Sequence, residues 1–328
     1  MARSRIRDET IGALAGSLLM QIKSLHLADG YPAPLDSREH PMAYSQILVP
    51  LNGSEHDDIA LTSAIAIASS SAAHVSALFV RPDARMATPM IGFSLFPSVI
   101  EQISVSAKQV ADEAARTAHR RFTAAAIKAK IEILERPKAL PEVAASFHES
   151  EGFVFECVSQ AAKFADVVVF GPFGEPEDLQ MSAAFADVLM TAKRPVLLTP
   201  RAIETRPAKI AIGWDGAHST ARAMCAAVPL LAVAQEVEIL SVKRKMIDDR
   251  DCDDLRDYLA LSGIFAKQRI VEKGNRLVGE CLLNEARNWG ADLLVIGGYG
   301  HSPLREAVFG GTTAYAIADA SMPIFLVH

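Results

Sequence analysis

Cysteine is scarce in this sequence. The four present, Cys157, Cys225, Cys252 and Cys281, stand in no CxxC spacing. That excludes a zinc ribbon or a disulfide-stapled scaffold and predicts free thiols in a reducing compartment. The nine histidines form no HExxH pair or other metal-ligand spacing, so no metal is assigned. Basic residues are not in excess: 33 Lys and Arg against 39 Asp and Glu leave a formal net charge of −6. A nucleic-acid binder would show a basic face, and none is expected here. A membrane span is also missing. The apolar run from Ile11 to Ile22 is twelve residues long and broken by Ser17 and Gln21, whereas a spanning helix needs about 20. No small-x-small cleavage site follows it, and "ADGYPAPLDSREHP" reads as a polar linker. Residues 1–43 are therefore set apart as an N-terminal extension, with Met42 as an alternative start to Met1, and the protein is expected in the cytoplasm.

What is present is a globular composition, 50% hydrophobic and 22% charged over 328 residues, enough for two domains. The chain also repeats itself. "ILVPLNGSEHDDIALTSAIAIASSSAAHVSALFV", from Ile47, matches "IAIGWDGAHSTARAMCAAVPLLAVAQEVEILSV", from Ile210. Each begins with a short apolar strand and a turn at Asn52-Gly53 or Asp215-Gly216, followed by an alanine-rich helix and a β-branched strand. Later, "ADVVVFGPFG" parallels "ADLLVIGGYG", and "RPVLLTP" (Arg194 to Pro200) parallels "MPIFLVH" (Met322 to His328). The halves are placed at 44–201 and 206–328, with the polar seam "TPRAIETRPAK" between them.

In the second half the pattern predicts strands at 208–213, 236–242, 268–272, 292–296 and 323–327. Helices are predicted at 218–233, 251–264, 275–289 and 302–320. Strands such as Leu293-Leu294-Val295-Ile296 are apolar throughout, as parallel strands covered on both faces must be. The expected fold is α/β: two tandem, doubly wound, parallel five-stranded sheets, with any ligand at the carboxyl ends of the strands. The first half carries a longer insert, Arg81 to Ser98, whose Met, Phe and Pro residues read as a lid or partner surface.

The stretch "GGYGHSPLREAVFGG", Gly297 to Gly311, carries the chemistry. Ser302-Pro303 reads as a helix start, and Thr312 or Thr313 as a cap after the break at Gly310-Gly311. A glycine turn beside a helix N-terminus offers free amides and close backbone approach to phosphate oxygens. It equally reads as a structural loop, since it is neither a Walker loop nor GxGxxG. Asp215, at the same sheet edge, reads either as an acceptor for a base or ribose or as a turn residue before the helix.

These residues carry a resemblance. From about residue 45 to 328 the chain resembles a tandem universal stress protein, through the strand-Asp-Gly start and the G-x2-G-x9-G of Gly297, Gly300 and Gly310. The resemblance implies an adenine-nucleotide alpha hydrolase-like, Rossmann-like fold. It also implies ATP as the bound nucleotide, with its phosphates on that glycine loop and its adenine at Asp215 and Val242. Two departures follow. Gly311 stands where nucleotide-binding members have Ser or Thr, leaving Thr312 and Thr313 as substitute donors. The first half has Asn52 for the aspartate, Ala184 for the last glycine, and Glu175, Glu177 and Asp178 where phosphates would sit, a degenerate site. The competing reading is a scaffold or signalling module of the same fold that binds no nucleotide. No general base is evident, His301 reading as a surface residue, so no catalytic residue is assigned and hydrolysis would at most be slow. The resemblance further implies that the halves pair through "RPVLLTP" and "MPIFLVH" as an intramolecular pseudo-dimer, with a homodimer also open.

Overall fold

Strands that are apolar on every residue can be satisfied only inside a sheet covered on both faces, and that is how this chain folds. The structure is a computed structural model that describes residues 43–82, 97–138, 142–173, 179–242, 249–298 and 321–328. Residues 43–328 form one compact unit. Among the described residues there are eleven strands and seven helices.

The first half runs β1 (Gln46–Leu51), α1 (His56–Ala68), β2 (His74–Pro82), α2 (Pro97–Ala129), β3 (Glu132–Ile133), β4 (Ala144–Gly152), α3 (Val154–Ala162), β5 (Val167–Phe170), α4 (Leu179–Met190) and β6 (Val196–Leu198). The second runs β7 (Lys209–Trp214), α5 (His218–Leu231), β8 (Glu236–Val242), α6 (Asp249–Leu261), β9 (Ala266–Val271), α7 (Val278–Trp289), β10 (Leu293–Gly297) and β11 (Ile324–Val327). The order across the sheet is β3-β4-β2-β1-β5-β6-β11-β10-β7-β8-β9. Leaving β3 aside, both halves therefore read third-second-first-fourth-fifth, the order of a doubly wound sheet in which the chain reverses direction beside its first strand.

The expected parallel sheets are present, with two differences. They are joined into a single eleven-stranded sheet, because β6 pairs antiparallel with β11 at Leu198–Ile324, Leu197–Phe325 and Val196–Leu326. These are the end strands marked by the repeat, and their pairing leaves neither as an open edge. The first half also has a sixth strand, β3, pairing parallel with β4.

Each face of the sheet buries one core, and each core runs through both halves. One joins Ile47, Phe79 and Phe122 to Ile212, Leu259 and Phe325. The other joins Phe170, Phe185 and Leu198 to Ile296, Leu282 and Leu326. None of the four cysteines is in a disulfide. No helix of the described residues is long and apolar enough to cross a membrane. Most of the insert, residues 83–96, lies outside the described residues; its ends finish β2 and begin α2.

Candidate functional site

The carboxyl ends of β7 and β10 flank the point where the second half reverses its winding, and the first turn of α5 lies against both. After Trp214 the chain turns through Gly216 at φ +72°, a conformation that favours glycine. Asp215 fastens this turn. Its Oδ1 accepts hydrogen bonds from the Ala217 amide (3.0 Å) and the Thr220 hydroxyl (2.6 Å). The turn role of Asp215 is thus visible directly, and the same bonds hold its carboxylate at the mouth of the helix.

Gly297 ends β10 against that first turn. A side chain there would place Cβ 2.5 Å from the Thr220 nitrogen and 2.7 Å from its Oγ1, so only glycine lets the strand end approach the helix start. Next in the chain, the Gly298 amide donates to the Val327 carbonyl (2.7 Å), and the Gly298 carbonyl lies 3.2 Å from His328 Nδ1. Arg222, one turn into α5, donates from Nε to the His328 carbonyl (3.0 Å). The end of β11 therefore closes one side of the site and brings a guanidinium to its rim. Thr220, Arg222 and His328 were not singled out from the sequence. Only Thr220 had a signal there, since the repeat sets it opposite Asp57.

Val242 ends β8 and is almost fully buried, its side chain packed in the core with Leu240 and Val271. A ligand at this sheet end would therefore meet the Val242 backbone. Gly300, Gly310, Gly311, Thr312 and Thr313 lie outside the described residues, as do His301, Gly174, Glu175, Glu177 and Asp178. Ala184 is buried within α4. Among the described residues no group of three or more His, Cys, Asp or Glu side chains is placed to hold a metal ion.

The first half builds the same turn and fills it differently. Gly53 has φ +85°, and Asn52 Oδ1 accepts the Ser54 amide (2.9 Å), as Asp215 accepts that of Ala217. At the position of Thr220, however, stands Asp57. Its Oδ1 takes the Asn52 amide (3.0 Å) and its Oδ2 the Gly53 amide (2.8 Å). Only 3% of Asp57 is exposed. Burial pushes its carboxyl up to about 6, against the lowering by the two amides and Arg121. The backbone of α2 crosses the same turn, so that a Cβ on Gly53 would lie 2.7 Å from the Ala114 carbonyl oxygen. Gly171 repeats the role of Gly297, with the His56 carbonyl oxygen 2.6 Å from where its Cβ would be.

Residues 208–328 match the model of the universal stress protein family. A universal stress protein of Synechocystis, Slr1230, is 26% identical over 187 residues, covering 53% of this chain. That match spans 61% of the relative's own length. Among solved structures, a universal stress protein from Archaeoglobus fulgidus superposes with a TM-score of 0.59 at 16% identity, over 87% of this chain and 96% of that one. A universal stress protein described as putative, from Pseudomonas aeruginosa, gives 0.51 at 14% identity, over 87% and 93%. The second half thus matches the universal stress protein family model, and the fold of the chain from both halves is that of solved universal stress proteins.

Proposed function

We propose that the protein is a tandem stress-response protein that binds one adenine nucleotide, ATP, in its second half. The observation that carries this reading is the meeting of Gly297 with the first turn of α5 beside Asp215. Helix amides and the positive end of a 14-residue helix face the same sheet end, an arrangement suited to phosphate. Gly300, Gly310 and Gly311, with Thr312 and Thr313, continue from Gly298 and would supply the rest of the phosphate cradle. Asp215 and the Val242 backbone would meet the base and ribose. The first half serves as the structural partner, its turn amides already bound to Asp57. Four cysteines without a disulfide suit a reducing cytoplasm. No catalytic residue is assigned.

Two measurements test this. Protein purified without added ligand, once denatured, should release adenine nucleotide detectable by absorbance and chromatography. Titration calorimetry with ATP should give one site per chain, lost in Gly300→Val, where a branched side chain would keep phosphate off the backbone. Two equivalent sites would refute the assignment to the second half. No binding by either measurement would give the chain to the scaffold reading.

A further inference from the structure

On the outer sheet of the first half, β2 and β4 place three polar side chains in a line beneath α3. His74 Nε2 lies 2.8 Å from Ser146 Oγ, and Ser146 Oγ lies 2.9 Å from His148 Nε2. His74 and Ser146 are buried and His148 is half-buried. All three point to the face that carries Leu78 and Val80.

The hydrogens in this line can be counted. His74 Nδ1 is buried with no hydrogen-bond partner, and a bare ring nitrogen there costs less than an unpaired N–H. The proton of a neutral His74 therefore sits on Nε2 and is donated to Ser146, whose hydroxyl donates in turn to His148 Nε2. Two hydrogens fill the two links. A third proton on either imidazole leaves one N–H or O–H of the line without an acceptor.

We propose that His74, Ser146 and His148 form an acid-sensitive latch, holding β2 to β4 while both imidazoles are neutral and loosening the outer edge of the first half when one takes up a proton. Burial and the neighbouring His148 both press His74 below its ordinary value. The stabilisation is thus complete above about pH 6.5, the unfolded value, and is lost as pH falls through the lower folded one.

The other ionisable groups on elements packed around the line are Glu132 of β3, on the same face through its register with Ala144, and Glu156 and Cys157 of α3. Asp166 precedes β5, its carboxylate already bound by the Ser45 and Gln46 amides. From β1 comes the uncharged Gln46, donating to Ser76. Asp57, whose raised pKa acts with the opposite sign, lies in the first turn of α1 and binds the turn after β1.

Hydrogen exchange of the full chain at pH 7.5 and 5.5, corrected for the intrinsic rate, tests the latch. Peptides covering β2 and β4 should lose about ten-fold more protection at pH 5.5 than peptides covering β7 and β8. In His74→Gln/His148→Gln, where amides keep the same donor and acceptor sense without titrating, that difference should vanish. Equal behaviour of the two halves in the wild type, or an unchanged acid response in the double variant, overturns the proposal. Should the double variant not fold, imidazole titration by NMR in the wild type decides. His74 and His148 resonances moving together support the latch, and independent titration refutes it.

Discussion

After β1 the chain turns through Asn52-Gly53 and fills the turn from within, because both oxygens of Asp57 take loop amides. After β7 it turns through Asp215-Gly216 with the same left-handed glycine, but the carboxylate now stands on the turn and a hydroxyl, Thr220, stands where Asp57 stood. The two turns share a backbone and exchange their side-chain chemistry. A helix N-terminus and a glycine turn make a place where an anion is favoured. In the first half that anion is part of the chain. The fold therefore supplies the same turn twice, and under the proposed function the side chains at 57 and 220 would decide whether it is already occupied.

The largest test asks whether the halves are coupled enough for such a division of labour. Phe325 is fully buried on β11, in register with Leu197 of the first half. Truncating it to alanine should cost about 3–5 kcal/mol. Because both cores run through the whole sheet, calorimetry should show one transition shifted down, by on the order of 5–10 °C. A transition that splits, with the first half unmoved, would make the halves independent.

The glycines at the two strand ends give the next effect. Alanine at Gly171 would press on the His56 carbonyl, and alanine at Gly297 on the Thr220 amide. Each is contact with backbone, which cannot rotate aside, so each substitution should cost about 1–3 kcal/mol. Urea midpoints should fall by similar amounts in the two variants. A neutral Gly297→Ala beside a costly Gly171→Ala would mean that the second strand end stands off its helix.

Asp57 offers a comparison in pH. Its folded pKa is raised to about 6, above the unfolded value, so the native state binds the extra proton first. Its contribution to stability must then grow as pH falls from about 6 towards 4. Asp57→Asn removes that titration. Relative to this variant, the wild type should gain roughly 1–3 kcal/mol between pH 6.5 and 4.5, measured by urea unfolding at each pH. A parallel pH course in the two proteins would mean that the carboxylate is not buried as described.

Much of the second half was legible because its strands are uniformly apolar and its helices are separated by clear turns. β8 was expected at 236–242, where it lies, and the ends of the other described elements shifted by only a few residues. The pairing of β6 with β11 was expected from the family resemblance together with the repeat, which sets these two short apolar strands in equivalent places. β3 could not, since Glu132 and Ile133 are exposed and carry no hydrophobic pattern. For Val242, composition marks the strand end, but only packing shows that the side chain turns into the core. Asp57 escaped notice for a different reason. An aspartate at a helix start looks ordinary, and only its hydrogen bonds to Asn52 and Gly53 reveal that it fills the turn.

The smallest and sharpest test moves the first half's chemistry into the second. Asp215→Asn/Thr220→Asp gives α5 the same pair that Asn52 and Asp57 give α1. Making both changes avoids setting two carboxylates side by side, since Thr220 Oγ1 now lies 2.6 Å from Asp215 Oδ1. The new aspartate has the turn amides of Asp215 and Gly216 to bind, as Asp57 binds those of Asn52 and Gly53. The net charge is unchanged, so any effect on binding comes from where the carboxylate sits. If an open turn is what admits ATP, calorimetry should show affinity reduced about ten-fold or more, equivalent to about 1.4 kcal/mol. Melting temperature should stay close to the wild type, because an internal carboxylate replaces an internal hydroxyl without loss of packing. Undiminished ATP affinity with normal stability would show that the side chain at position 220 does not decide whether the cradle is open. The difference between the halves would then rest on the glycine loop that follows β10 and its counterpart after β5.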